Sequence, residues 1–160
     1  MVRRSALLLL VSLASFGCGD SPAEPNWDDL RAQLAQQRAT WEAARTGSYT
    51  MVQLHECFCN DWLLRPAVVS VTVGAGGTEV VASASWQGDG SGVAAGDLPH
   101  FFSIGKLFDL IDNAAAAKVP DIQVQFHAQL GYPTAVLIDY ESRSTQDDQV
   151  FTISDVAFGS

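Results

Sequence analysis

Apolar positions along the chain follow three rhythms, and the changes between them mark its elements. Ala6 to Ala14 is an almost unbroken apolar run, preceded by Arg3 and Arg4 and closed by Phe16-Gly17-Cys18. Such a run is shorter than the roughly 20 residues that span a bilayer. A basic start, an apolar centre and a small-residue exit are the parts of a secretory signal, so residues 1–17 are expected to be a signal peptide. Residues 18–26 are polar, carry Pro22 and Pro25 and have nothing to bury, and they read as a tether. From Trp27 the rhythm turns helical. Trp27, Leu30, Leu34 and Trp41 fall on one stripe behind an N-cap at Asn26, with Asp28 and Asp29 in the first turn and Gly47 as a stop. This predicts a helix over 27–46.

Alternation then replaces the helical period. Over Ser48 to Cys59, Val52, Leu54 and Phe58 share one side, while Met51, Gln53, His55, Cys57 and Cys59 share the other. Pro66 to Val73 and Thr78 to Trp86 form a hairpin around Gly74-Ala75-Gly76-Gly77, with Val69, Val71 and Val73 expected against Val80, Ala82 and Ala84. Residues 87–100 read as a polar, glycine-rich loop. Ser103 caps a second helix reaching about Lys118, with a stripe of Leu107, Leu110, Ile111 and Ala114, Phe108 beside it and Pro120 behind it. Three more strands follow: Ile122 to His127, Thr134 to Glu141 after a Gly131-Tyr132-Pro133 turn, and Val150 to Val156. Half-polar strands joined by short turns predict an antiparallel sheet of about six strands with both helices on one face, an α+β fold. Residues 27–160 are expected to be a single domain of this kind.

Charge narrows the partners. The chain carries a net charge of −9. Without residues 1–17 it retains seven basic and eighteen acidic residues, a net charge of −11. Such a surface repels nucleic acid, whose binding rests on neutralising phosphate, and offers no attraction to anionic headgroups. A lipid on Cys18, which follows Gly17 as the lipid-accepting cysteine of such signals does, is then the expected hold on a membrane. No other partner is specified.

With Cys18 assigned to lipid, His55, Cys57 and Cys59 are the sharpest chemical feature. On a strand, one imidazole and two sulfurs two residues apart share a face, a soft ligand set for zinc or copper. A closed tetrahedral site needs a fourth donor, such as His100 or His127. The two thiols can instead pair, since export makes a disulfide permissible. Two strand steps place their Cα atoms about 6.6 Å apart, at the outer edge of the roughly 4.4–6.8 Å that a disulfide tolerates. Closing so small a ring contributes only about 1.6 kcal/mol before strain. That describes a weak staple, or a readily reduced redox pair. Asp139, Glu141, Asp147 and Asp148 form an acidic stretch that could hold calcium, but EF-hand spacing is missing and in so acidic a chain a solvated turn is the favoured reading. No nucleophile elbow or phosphate loop is present. The expectation is a protein without enzymatic activity and without a cofactor.

Several motifs occur together: Cys57-Phe58-Cys59, the helix opening Ile104-Gly105-Lys106-Leu107-Phe108, Gly131-Tyr132-Pro133-Thr134, Ile138-Asp139-Tyr140 and Asp147-Asp148. In this the chain resembles an uncharacterised family of bacterial envelope lipoproteins with a CFC motif and a GYPT…IDY…DD tail. The likeness covers roughly residues 38–157 and carries over to Cys57, Cys59, Gly131, Tyr132, Pro133, Asp139, Asp147 and Asp148. It implies export, palmitate-type acylation at Cys18, an α+β domain in the cell envelope facing the periplasm or exterior, and no activity. His55 stands outside that pattern. The expected role is binding or structural, the alternative being a thiol-redox or metal-binding lipoprotein using His55, Cys57 and Cys59.

Overall fold

Asn26 and Ser103 start the two helices as side-chain caps. Asn26 Oδ1 accepts the amide of Asp29, and Ser103 Oγ accepts that of Lys106. The computed structural model describes residues 26–57, 64–144 and 148–159. Its elements run α1 (Trp27–Ala44), β1 (Tyr49–Cys57), β2 (Ala67–Val73), β3 (Glu79–Trp86), α2 (Ile104–Ala117), β4 (Asp121–Phe126), β5 (Pro133–Asp139) and β6 (Gln149–Phe158). All strand pairs are antiparallel, in the order β3-β2-β1-β6-β5-β4. Two meanders, one on each side of α2 in sequence, thus meet along β1 and β6. The result is the α+β fold with a six-stranded antiparallel sheet, an N-terminal helix and a central helix.

The alternation of each strand decides its buried face. Val71, Met51, Ile153, Val136 and Ile122 come from five strands and join one core with Leu34 and Trp41 of α1 and Leu107, Phe108 and Ile111 of α2. On β1 the core takes Tyr49, Met51 and Gln53, and His55 continues that side, whereas Val52 and Leu54 lie half-buried on the opposite face. Trp41 anchors α1, its ring edge-on to Tyr49 at 5.1 Å and to Tyr132 at 5.9 Å. Gln53 is 1% exposed and brackets the backbone of Phe102, donating to its carbonyl at 3.2 Å and accepting its amide at 3.1 Å. The turn before β5 brings Gly131 against α1. Its φ is +76°, and a Cβ there would stand 2.6 Å from the Gln37 carbonyl, so only glycine fits.

Three local expectations change. Helix α1 ends at Ala44, not at a Gly47 stop. Arg45 is already extended as C-cap, its amide donating to the Trp41 carbonyl and its side chain paired with a carboxylate on β3. In the β2–β3 hairpin, Val71 pairs with Val81 and Ser70 with Ser83, leaving Ala82 as an extra residue. That bulge shifts the alternation, so β3 turns Val81, Ala84 and Trp86 towards the core, while Val80 is 56% exposed and Ala82 is also exposed. The glycine-rich segment is not loop throughout. It pairs briefly with β3 at Ser85–Gly92 and then forms a 3₁₀ turn over Ala95–His100.

Candidate functional site

The helix-side end of β3 carries the most connected side chain of the described structure. Glu79 follows the glycine turn and points inward, its side chain only 5% exposed. Its Oε1 accepts Trp41 Nε1 at 3.2 Å and pairs with Arg45 Nη1. Its Oε2 accepts the Tyr49 hydroxyl at 2.9 Å and the Gly105 amide at 2.7 Å. The Tyr49 hydroxyl in turn accepts the Ile104 amide at 2.9 Å. Four elements therefore meet on one carboxylate, and two of its donors involve the first turn of α2, where backbone amides are unsatisfied and favour an anion. Gly105 permits this approach, since a Cβ there would sit 3.0 Å from Glu79 Oε2.

Electrostatics follow from that contact set. Burial alone would raise the Glu79 carboxyl, but hydrogen bonds from Gly105, Tyr49, Trp41 and Ser103 outweigh it and hold the acid below its ordinary range. Burial, and then the charge of Glu79, push the Tyr49 hydroxyl far above its usual value. Near neutral pH the carboxylate stays ionised and the phenol stays protonated. The pair holds structure together and exchanges no proton there.

Above this network opens a cleft of about 670 Å³, within the roughly 300–1,000 Å³ of ordinary ligand sites. Arg38 and Trp41 of α1, Lys106 of α2, Thr78 and then Glu79 to Val81 of β3, and Leu98 and Pro99 of the 3₁₀ turn wall it. Arg38 pairs with Asp109 at 2.8 Å and lies over the Phe108 ring at 5.1 Å. Lys106 reaches the Pro99 carbonyl at 3.5 Å and lies over the Phe102 ring at 4.3 Å. The cleft thus combines apolar residues with cations held in place and with the acids Glu42 and Asp109.

The residues singled out from sequence lie elsewhere. His55 stacks on Phe151 at 4.0 Å and meets Phe102 edge-on at 5.9 Å. Both its ring nitrogens are buried without a hydrogen-bond partner. Burial, aided by the charge of His100, lowers its pKa from 6.5 to about 4. Cys57 ends β1 and is disulfide-bonded; the other two cysteines, Cys18 and Cys59, lie outside the described residues, as does Asp147. His127 Nδ1 accepts the amides of Leu130 at 3.1 Å and Gln129 at 3.3 Å, a turn-forming role next to β4. Asp139 faces Asp121 across the β4–β5 pair, and Asp148 precedes β6 at the same end of the sheet. Asp139 Oδ1 is buried without a hydrogen-bond partner. Among the described residues no three His, Cys, Asp or Glu side chains are placed to hold a metal ion.

Sequence reasoning missed Glu79, Arg45 and Lys106. One signal was available. Ile104-Gly105 puts a glycine in the first turn of a good helix, which is costly unless something must come close there.

A two-helix, six-strand α+β domain with a cleft beside one sheet edge is the class that fold and site define. The chain belongs to a family of unknown function, DUF6174, whose model matches residues 33–158, from within α1 to the last residue of β6. No curated protein and no solved structure matches it.

Proposed function

We propose that this is an exported bacterial lipoprotein, held to the cell envelope by a lipid on Cys18 and facing the periplasm or exterior, whose domain binds a partner rather than catalysing a reaction. The leader, the Gly17-Cys18 junction and the tether support the placement. The CFC motif and the GYPT…IDY…DD tail belong to the same reading, as features of an envelope lipoprotein family.

The commitment of Glu79 is the observation that carries the binding role. The buried acid beside the cleft has both oxygens occupied by Trp41, Arg45, Tyr49 and Gly105, leaving it no part in proton transfer. What the cleft does offer is a mixed surface, apolar residues beside the cations Arg38 and Lys106 and the acids Glu42 and Asp109, a recognition surface. Cell fractionation tests the placement. The wild type should partition with membranes and the Cys18→Ala protein should not; equal partition of the two would remove the anchor. Turnover of any substrate that is abolished by a cleft substitution would remove the binding role.

The disulfide at Cys57 favours a second reading, a thiol-redox lipoprotein in which Cys57 pairs with Cys59. A reduction potential within the range of cellular thiol couples supports it, and a bridge inert to glutathione rejects it.

A further inference from the structure

We propose that the cleft takes an extended segment of another polypeptide, which adds to β3 as a seventh, antiparallel strand. The inference rests on the binding reading above and names the class of partner.

Strand β3 is an edge of the sheet, and its two halves differ. The second half is covered by the chain itself: Trp86 donates to the Ser91 carbonyl at 2.9 Å and Val93 to the Ala84 carbonyl at 2.8 Å. Residues 91–93 thus run antiparallel to β3 as the start of a further strand. The chain leaves the edge at Ala94 to form the 3₁₀ turn, which becomes a wall of the cleft. Along Glu79–Ser83 no backbone group of the described residues bonds to the outer side. Counted from Thr78, whose carbonyl accepts Gly74 on the inner side, alternation turns the amide and carbonyl of Val81 outward, and the extra residue Ala82 then restores the phase in which Ala84 faces out.

Natural edges of this kind are blocked by charge, proline or cover. Here Glu79 is the only charge in the segment, and it points inward to Arg45. No proline is present, and Val80 is the most exposed large apolar residue of the described structure. The opposite edge differs: β4 carries Asp121 and exposes Gln123 and Gln125. A peptide continuing the line of residues 91–93 would gain main-chain bonds from β3 and lay alternate side chains towards Leu98 and Pro99 of the cleft wall, the mode by which strand addition achieves affinity and specificity together.

A phage-displayed random octapeptide library, panned on the protein purified in detergent as its cells process it, is the test. Enriched peptides should alternate apolar and polar residues. On binding they should slow hydrogen exchange at Glu79 and Val81. Val81→Pro removes one outward donor, and proline is tolerated on the open side of an edge strand. It should weaken binding by about tenfold, the scale of one hydrogen bond. Val80→Lys, on an exposed position that leaves the fold intact, should do the same. Peptides lost with Leu98→Glu but indifferent to both edge variants would leave the cleft as a binding site and refute strand addition. No enrichment, or binding indifferent to all three variants, overturns the proposal. So does concentration-dependent dimerisation through β3 in place of peptide binding.

Discussion

Glu79 Oε2 accepts the amide of Gly105 at 2.7 Å, tying the start of an edge strand to the first turn of the central helix. The same carboxylate reaches the end of α1 through Arg45 and the start of β1 through Tyr49. The site end of the domain is therefore organised around one buried anion.

Removing that anion strands its partners. Glu79→Ala leaves the largely buried Arg45 guanidinium unpaired and should cost about 3–5 kcal/mol of stability, the scale for breaking one side of a buried pair. Chemical denaturation of the two proteins at neutral pH measures it. A loss below about 1 kcal/mol, the level of an exposed pair, would mean the network contributes little.

His55 gives a separate pH dependence. Its folded pKa near 4 lies below the ordinary 6.5, so between these values the unfolded chain binds the extra proton. Stability should fall as pH drops from about 6.5 towards 4. Glu79, held below the usual carboxylate range, adds its own loss only at more acid pH. Denaturation midpoints at pH 7 and pH 5 should therefore differ more in the wild type than in His55→Leu. Equal slopes would show that His55 titrates as an exposed histidine does.

Gln53 predicts a third effect. Gln53→Leu keeps the volume but leaves the Phe102 amide and carbonyl without their partner, for about 1–3 kcal/mol. The loss should appear mainly as a lower denaturation midpoint with an unchanged slope. An unchanged midpoint would mean that water replaces the side chain.

Gly131→Ala should also destabilise, by more than the ~1 kcal/mol that an ordinary Gly→Ala change can return. The added methyl enters both a left-handed backbone and the Gln37 carbonyl. Thermal unfolding tests this directly, and an unchanged or higher midpoint would contradict the close packing of that turn on α1.

Much of the fold is written locally. Asn26 and Ser103 announce their helices by cap chemistry, and the stripes through Leu34, Trp41, Leu107 and Ile111 identify the faces that become core. The hairpin is legible from its glycines. What cannot be read locally is long-range: nothing in β1 specifies that β6, about a hundred residues later, is its neighbour. The polar side of β1 was equally ambiguous. Gln53 and His55 alternate with Val52 and Leu54, yet the core side is theirs: Gln53 is buried and satisfies the Phe102 backbone, and half-buried His55 stacks on Phe151. Glu79 escaped for the same reason. A lone acid opening an edge strand reads as solvated, and its partners come from α1, β1 and α2.

Metabolic labelling with a palmitate analogue tests the proposed lipid anchor on Cys18 most directly. Wild type and Cys18→Ala are labelled in growing cells and compared at equal amounts of protein. The account predicts label on the wild type and none on the variant. Equal labelling of both, or label on neither, would contradict it.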